Sequence, residues 1–457
     1  MRSVTYAQIA EWTDGGLIQG SPSELVSHVV TDSRKVENGD LFVALKGDRF
    51  DAHEFLEDVA QRGAGGLLVA QLPPATEGYS GAIVHVKDTL QALQRLAFFH
   101  RRHSEGLRVI GVTGSNGKTS TKDFLSAVLS VSGTVNKTAG NLNNHIGLPL
   151  TILSGSGEDR FGVWEMGMNH SGEIEVLAEI AAPDAAVITN IGTAHIEHLK
   201  TRDAIALEKS ELAMAVSRSG YCAMPVADDY YGFVSDRVDC EVVAVGIEEG
   251  QVQARDLSIG EEGRARFELA SDFGSAASVS LPVMGRHMVT NSLLAAAVGL
   301  KEGLSPADIA EALSGVSLTG GRLQETKVGD LAFLDDSYNA NPDSMRAAIA
   351  TLNEAPVSGR RIAVLGFMGE LGEHEESEHR SLGEVASASG LDAVFTVGER
   401  AAQIDAGVAE GIEHRNFSNH EEAAEFLRDY LTPGDLTLVK GSRAAAMEQI
   451  IRALEQG

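Results

Sequence analysis

The sequence predicts an α/β protein of three domains: a small amino-terminal domain over residues 1–105, a central one with a mainly parallel sheet over 106–317, and a carboxy-terminal one over 318–457. Three observations predict it. A chain of 457 residues exceeds what one ordinary core holds, since domains commonly run to about 100–200 residues. Apolar runs rich in Val and Ile alternate with amphipathic stretches, the pattern of strands and helices in wound sheets. Polar or glycine-rich breaks interrupt that alternation at HSEG, ending on Gly106, and at the pair Gly320 and Gly321.

In the first block GDLFVAL, GGLLVA and AIVHV read as strands, and TLQALQRLAFFHRRHS, from Thr89, reads as the helix leading out. The second opens on RVIGVTG, includes FGVWEMG and AAVITNIG, and closes with the helix HMVTNSLLAAAVGLKEG. The third runs through LAFLDDSYNANP, RIAVLGFMG, LDAVFTVG and LTLVKGSR, each followed by a helix-like stretch, so a parallel, Rossmann-like sheet is expected. Ligands of open parallel sheets gather beyond the carboxyl ends of the strands. The residues just after VIGV, VWEM, VITN, FLDD and LVKG are therefore the places to look.

Composition narrows the function. No apolar run approaches the roughly 18 residues that span a bilayer, and the start MRSVTYAQIAEW lacks the order of a signal peptide, so a cytoplasmic protein without a membrane span is expected. Cys222 and Cys240 are the only cysteines, too few for a disulfide framework or a cysteine metal cage. A formal charge of −28 argues against a nucleic-acid partner, which would call for clustered Lys and Arg. It leaves room for a local anion site made of backbone N–H groups and a few cations.

GVTGSNGKTS places such a site between a strand and a helix, the context that makes a phosphate loop credible. The general pattern has glycine where this chain has Val112; Gly114 supplies a glycine inside the loop instead. Gly114, Ser115, Asn116, Gly117, Lys118, Thr119 and Ser120 are the expected ATP contacts. Gly114 and Gly117 let the backbone approach the phosphates, Lys118 reaches the outer ones, and the Thr119 hydroxyl faces Mg²⁺. A hard cation needs more oxygen ligands than one threonine, and Glu165, ending the strand FGVWEMG, is placed to add a carboxylate. Taken alone, His195 after VITNIG reads equally as a structural loop histidine, and Lys209 in DAIALEKSELAMAVS as a surface lysine.

TGSNGKTST, EMGMNHSGEIE, NIGTAHIEHL and EKSEL occur here in the order found in the Mur ligases, the ATP-dependent amide-forming enzymes of peptidoglycan precursor synthesis, and the chain resembles that family across all three blocks. The resemblance implies a UDP-binding, an ATP-binding and a Rossmann-like domain in that order. GNLNNHIGLPLT from Gly140, DDSYNANPDSM from Asp335 and LVKGSR ending at Arg443 favour the member that adds D-alanyl-D-alanine to UDP-N-acetylmuramoyl-tripeptide. The member adding the third amino acid, which shares a start like TDSRKVENGDLFVALKG, ranks second.

By the same resemblance Lys209 is carbamylated by CO₂ and, with His195, holds a second Mg²⁺; Lys118, Lys209 and His195 are the catalytic candidates, and Thr119, Glu165, His195 and Lys209 the metal ligands. Arg322 resembles the arginine that reaches the phosphates from the third domain, Asn291 and Asn339 the adenine contacts and Asp336 the ribose contact. A local turn bond remains open for Asn339. Ser33 and Lys46 fit the UDP end, and Asn141, Asn143 and Asn144 the peptide or phosphate portion. Arg443 fits the terminal carboxylate of the incoming dipeptide, with a helix cap the equal alternative. The substrates implied are UDP-N-acetylmuramoyl-tripeptide and D-alanyl-D-alanine, used by a monomer. A phosphate-loop ATPase switch that joins nothing explains the loop and Glu165 but not His195, Lys209 or the asparagine loop.

Overall fold

The structure, a computed structural model, describes residues 1–47, 50–72 and 79–456. Three main sheets account for most of its strands. The first runs Gly16–Gln19, Ala82–His85, Gly66–Val69, Leu41–Val43 and Val29–Val30, parallel except at its first strand. The helix Thr89–Arg102 leaves it; the Asp88 carboxylate accepts the N–H groups of Leu90 and Gln91 at its start.

The second sheet has nine strands and holds Arg108–Thr113 third from one edge, with Phe161–Glu165 on one side and Ala185–Ile188 on the other, all parallel. Their carboxyl ends therefore open on one edge, where Gly114, Glu165 and the loop leading to His195 leave the sheet. Two features of this region were not expected. A long antiparallel edge is built from Val252–Ile259, Arg264–Ser271 and Gly274–Met284, whose mixed polar and apolar pattern buries only one face. A second helix, Pro306–Ser314, follows Arg286–Lys301, its start capped by the Ser305 hydroxyl.

The phosphate-loop helix Lys118–Leu129 packs Phe124, Leu125 and Val128 into the core beneath this sheet, against Leu294 and Val298 of Arg286–Lys301. That contact is close: a Cβ on Gly299 would lie 2.6 Å from Val128 Cγ1. It brings Asn291 to the mouth of the loop.

The third sheet runs Gln324–Val328, Leu331–Asp336, Leu436–Lys440, Arg361–Gly366, Ala393–Val397 and Glu413–Phe417, parallel after its first strand, with helices between, as a Rossmann-like sheet requires. Glu413–Phe417 is polar in sequence, EHRNF, and is legible as a strand only from its position at the sheet's edge. No helix among the described residues is long and apolar enough to cross a membrane.

Candidate active site

The carboxyl ends of the second and third sheets face each other across a cavity of about 1430 Å³. Val112, the residue that departs from the general loop pattern, is a fully buried member of the strand Arg108–Thr113, paired in register with Glu165 and Val187. The loop proper begins one residue after Thr113. Gly114 has φ +147° and a side chain there would run into Thr189; Gly117 has φ +77° and a Cβ would sit 2.8 Å from Asn291 Oδ1. Both positions need glycine for backbone and for space.

Gly117 ends the loop and the helix Lys118–Leu129 starts on it, so the helix N–H groups and dipole point at the cavity. The Lys118 ammonium donates to the Gly114 carbonyl at 2.7 Å, turned back over its own loop. Burial pulls its pKa down, and the nearby Glu165 carboxylate works against that. The Thr119 hydroxyl donates to both oxygens of Glu165, at 2.9 and 3.1 Å. Glu165 is itself anchored, its N–H donating to the Thr138 hydroxyl at 2.9 Å. Ser115, Asn116 and Ser120 line the same cavity, as does Asn291, which is 5% exposed.

His195 has φ +66° and starts the short helix Ile196–Leu199. Its Nδ1 lies 2.5 Å from Glu370 Oε2, in the loop after the third-sheet strand Arg361–Gly366. Burial depresses the imidazole pKa, and Glu370 offsets part of this. Lys209 is 1% exposed on the helix Arg202–Met214, behind the cavity wall rather than on it. Burial drives its pKa well down, with Lys118 adding to the effect. Among the described residues its amine makes no ion pair. A buried lysine without a counter-ion, beside a second lysine and a histidine, is an unusual arrangement for a purely structural residue.

From the third sheet, Arg322 lines the cavity with its guanidinium over the Tyr338 ring, 4.2 Å from the centroid, and its Nε buried without a partner. Asp336 receives the Lys440 ammonium at 2.6 Å. Lys440, 2% exposed, also donates to the Asn339 carbonyl at 2.9 Å. Lys118, Arg202, Arg322, Arg400, Lys440 and Arg443 all border the cavity, beside carboxylates that include Glu165, Asp336 and Glu370, so cations and acids meet where the strand ends converge.

Two family models match this chain: Mur ligase middle domain over residues 112–299, and Mur ligase, glutamate ligase domain over residues 321–443. The chain is 39% identical, over 98% of its own length and 98% of its relative's, to the UDP-N-acetylmuramoyl-tripeptide--D-alanyl-D-alanine ligase of Bacillus subtilis (strain 168). The chain belongs to the Mur ligase family. Among solved structures, MurF from Acinetobacter baumannii superposes on this Mur ligase with a TM-score of 0.92 at 34% identity, covering all of both chains. The MurF ligase from Thermotoga maritima in complex with ADP gives 0.83 at 30% identity, over 94% of this chain and 97% of that one. The Mur ligases are ATP-dependent amide-forming ligases, and this chain is an enzyme of that class.

Not every expected residue of this Mur ligase meets at the cavity. Asn141, Asn143 and Asn144 line it. The Asn144 side chain is committed to the fold, accepting the N–H of Gly147 at 2.8 Å where the helix Gly147–Leu153 begins. Asn339 spends its Oδ1 on the Ala340 N–H at 2.9 Å and on the Arg443 N–H at 3.3 Å, the turn bond left open by its sequence. Arg443 has an exposed side chain that pairs with Glu448, at the start of the last helix, at 3.0 Å. Ser33, in the helical turn Ser33–Lys35, and Lys46, just beyond the strand Leu41–Val43, lie in the first-sheet region outside the cavity, and Lys46 pairs with Asp51 at 3.5 Å.

Sequence reasoning missed four groups. Lys122, 2% exposed, donates to the Thr138 carbonyl and stands 3.8 Å from Glu165 Oε2, holding that carboxylate from below. Glu208, beside Lys209, accepts the N–H groups of Gly172 and Ile174 and so fixes the MGMNHSGE loop at the start of its helix. Glu370 follows the strand Arg361–Gly366 at its carboxyl end, where the ligand rule for parallel sheets points. Asn341 and Asp343 lie within DSYNANPDSM but contact the second sheet.

Proposed function

We propose that this enzyme joins D-alanyl-D-alanine to UDP-N-acetylmuramoyl-tripeptide at the expense of ATP, acting as a monomer in the cytoplasm on a precursor of peptidoglycan. The observation that carries the reading is the single cavity in which the phosphate loop, Glu165, His195, Arg322, Asp336 and the asparagine loop converge. The near full-length match to relatives of that activity supports the choice of substrates. The three domains are taken as residues 1–105, 106–317 and 318–457, binding the UDP end, ATP and the incoming dipeptide in that order.

A carboxylate is a poor acyl donor because its leaving oxygen is too basic. The tripeptide carboxylate attacks the γ-phosphorus, ADP departs, and the resulting acyl phosphate carries a good leaving group. The dipeptide amine then attacks the acyl carbon, phosphate leaves with the C–O bonding pair, and the amine proton passes to solvent. The protein's part is to position and to stabilise charge. Lys118 swings from the Gly114 carbonyl to the outer phosphates, while the loop N–H groups hold the inner ones.

The donor set fits Mg²⁺: one hydroxyl and one carboxylate side by side at Thr119 and Glu165, to be completed by phosphate oxygens and water. Bound there, Mg²⁺ would neutralise charge on the transferring phosphoryl group. Lys209 fits carbamylation: its depressed pKa leaves a neutral amine to add to CO₂, giving a carbamate and a proton, and the new carboxylate with His195 would suit a second cation. Asn291 and Asn339 would contact the adenine and Asp336 the ribose, roles that the family resemblance supports. Ser33 and Lys46 take the UDP end, Asn141, Asn143 and Asn144 the peptide, and Arg443, once freed from Glu448, the dipeptide carboxylate.

Phosphate release measured with ATP, Mg²⁺ and UDP-muramoyl-tripeptide should rise strongly when D-alanyl-D-alanine is added. Release that ignores the dipeptide would leave only an ATPase.

A further inference from the structure

Two side chains of the segment after Leu331–Asp336 reach across the cavity to the second sheet. Asn341 is the N-cap of the helix Pro342–Glu354: its Oδ1 accepts the Ser344 N–H at 2.9 Å, and its Nδ2 donates to Asn116 Oδ1, in the phosphate loop, at 2.7 Å. One turn of chain later, Asp343 Oδ2 accepts both the N–H and the hydroxyl of Thr193, at 2.9 and 3.1 Å. Thr193 stands two residues before His195. A side chain on Gly192 would collide with Asp343, so the two segments are in intimate contact.

Capping alone does not account for Asn341. Serine or threonine caps a helix as well, and Pro342 already presets the first turn. Only an amide offers a second polar end, and the cap fixes which end that is: with Oδ1 held by Ser344, Nδ2 must point outward as a donor. The receiving residue is equally engaged. Asn116 donates its N–H to Asn190 Oδ1 at 2.9 Å and takes the Thr189 hydroxyl on its carbonyl, so it joins the loop tip to the residues ahead of His195.

We propose that Asn341 and Asp343 form a two-point latch from the third sheet to the phosphate loop at Asn116 and to the His195 loop at Thr193, so that closure of the sheets sets both together. Closure then does more than exclude water; it completes the nucleotide site from outside it. The proposal deepens the ligase reading and rests on it. Asn341 and Asp343 are positioning residues here, acting through Asn116 and Thr193.

The test compares the full chain with Asn116→Ala, Asn341→Ser and the double variant, and with Thr193→Val, Asp343→Ala and their double. Asn341→Ser keeps a helix cap while losing the bridging donor, and Asn116→Ala leaves every backbone N–H of the loop in place. Two readouts are taken: kcat/KM for dipeptide-dependent phosphate release, and the radius of gyration by small-angle scattering with a non-hydrolysable ATP analogue and Mg²⁺. Each single change should lower kcat/KM about tenfold and each double no further, the coupling expected of contacting pairs. The variants should also be more extended than the parent with the analogue bound. Losses that multiply to about a hundredfold, or variants as compact as the parent, would overturn the latch. If the parent itself makes no amide, the ligase reading fails, while the scattering comparison still judges the latch.

Discussion

The cavity between the second and third sheets, proposed to take ATP, and the first-sheet region, proposed to take the UDP substrate, are built on opposite plans. At the cavity between the second and third sheets, the candidate functional groups are buried or half-buried and held by neighbours: Thr119 on Glu165, Lys118 on Gly114, Asp336 under Lys440, His195 beside Glu370. On the first sheet, Lys46 is a largely exposed lysine paired with Asp51 across a turn, and Ser33 sits in a single helical turn whose Asp32 and Arg34 are occupied with each other. The difference follows from the work at each place. Phosphoryl transfer needs groups fixed before the reaction, which burial and second partners provide. Recognition of a solvated diphosphate can be left to mobile charges.

The contrast predicts a steep ranking of substitutions. Lys118→Ala should cost the most, about 10²–10³-fold in kcat, because the cation proposed to reach the outer phosphates is lost. Steady-state phosphate release reads it, and a loss below about threefold would break the contrast at its stronger end. Lys209→Ala should come next, abolishing most of the activity, with formate, acetate or added bicarbonate restoring part of it. Full activity in the variant would remove Lys209 from the site. At the other end, Lys46→Ala should raise KM for the UDP substrate no more than about fivefold and leave kcat alone, the scale of an exposed ion pair.

A third region, the seam around the helix Thr89–Arg102, sharpens the comparison because it is buried without being functional. Burial holds the His100 imidazole down at about 4, with the chain amine adding to the effect and both ring nitrogens lacking partners. The unfolded chain takes up a proton near pH 6.5 that the folded chain refuses until about 4. The stability owed to neutral His100 is therefore complete above about pH 6.5 and falls as pH drops through that window, by about 3 kcal/mol at most. His100→Gln should flatten this part of the denaturation profile without changing kcat at pH 8. An unaltered profile would mean the seam relaxes to admit the charge.

What could be read from the sequence follows the same division. Positions where backbone geometry excludes other residues were legible: Gly114 and Gly117 stand at left-handed φ against Thr189 and Asn291, and the strands feeding the loop are continuous apolar runs. The departure from the general loop pattern at Val112 falls on the strand, and the loop itself starts at Gly114. The antiparallel edge from Val252 to Met284 was illegible because its faces mix solvent and core. Glu370, Asn341 and Asp343 were hidden for a different reason. Each is an ordinary polar residue after a strand, and its meaning arises only where two sheets, far apart in sequence, come face to face. For Lys209 and His195, local sequence left a surface lysine and a loop histidine open; the resemblance supplied a role, and burial beside Lys118 gives it a physical footing.

The most direct test is the mass of the product. The purified chain is incubated with ATP, Mg²⁺, a panel of UDP-muramoyl-peptides and either D-alanyl-D-alanine or single amino acids. The account predicts a UDP-muramoyl-tripeptide heavier by one dipeptide less one water, with one ADP formed for each amide. Extension of a UDP-muramoyl-dipeptide by a single amino acid, or ATP consumption with no new amide, would contradict it.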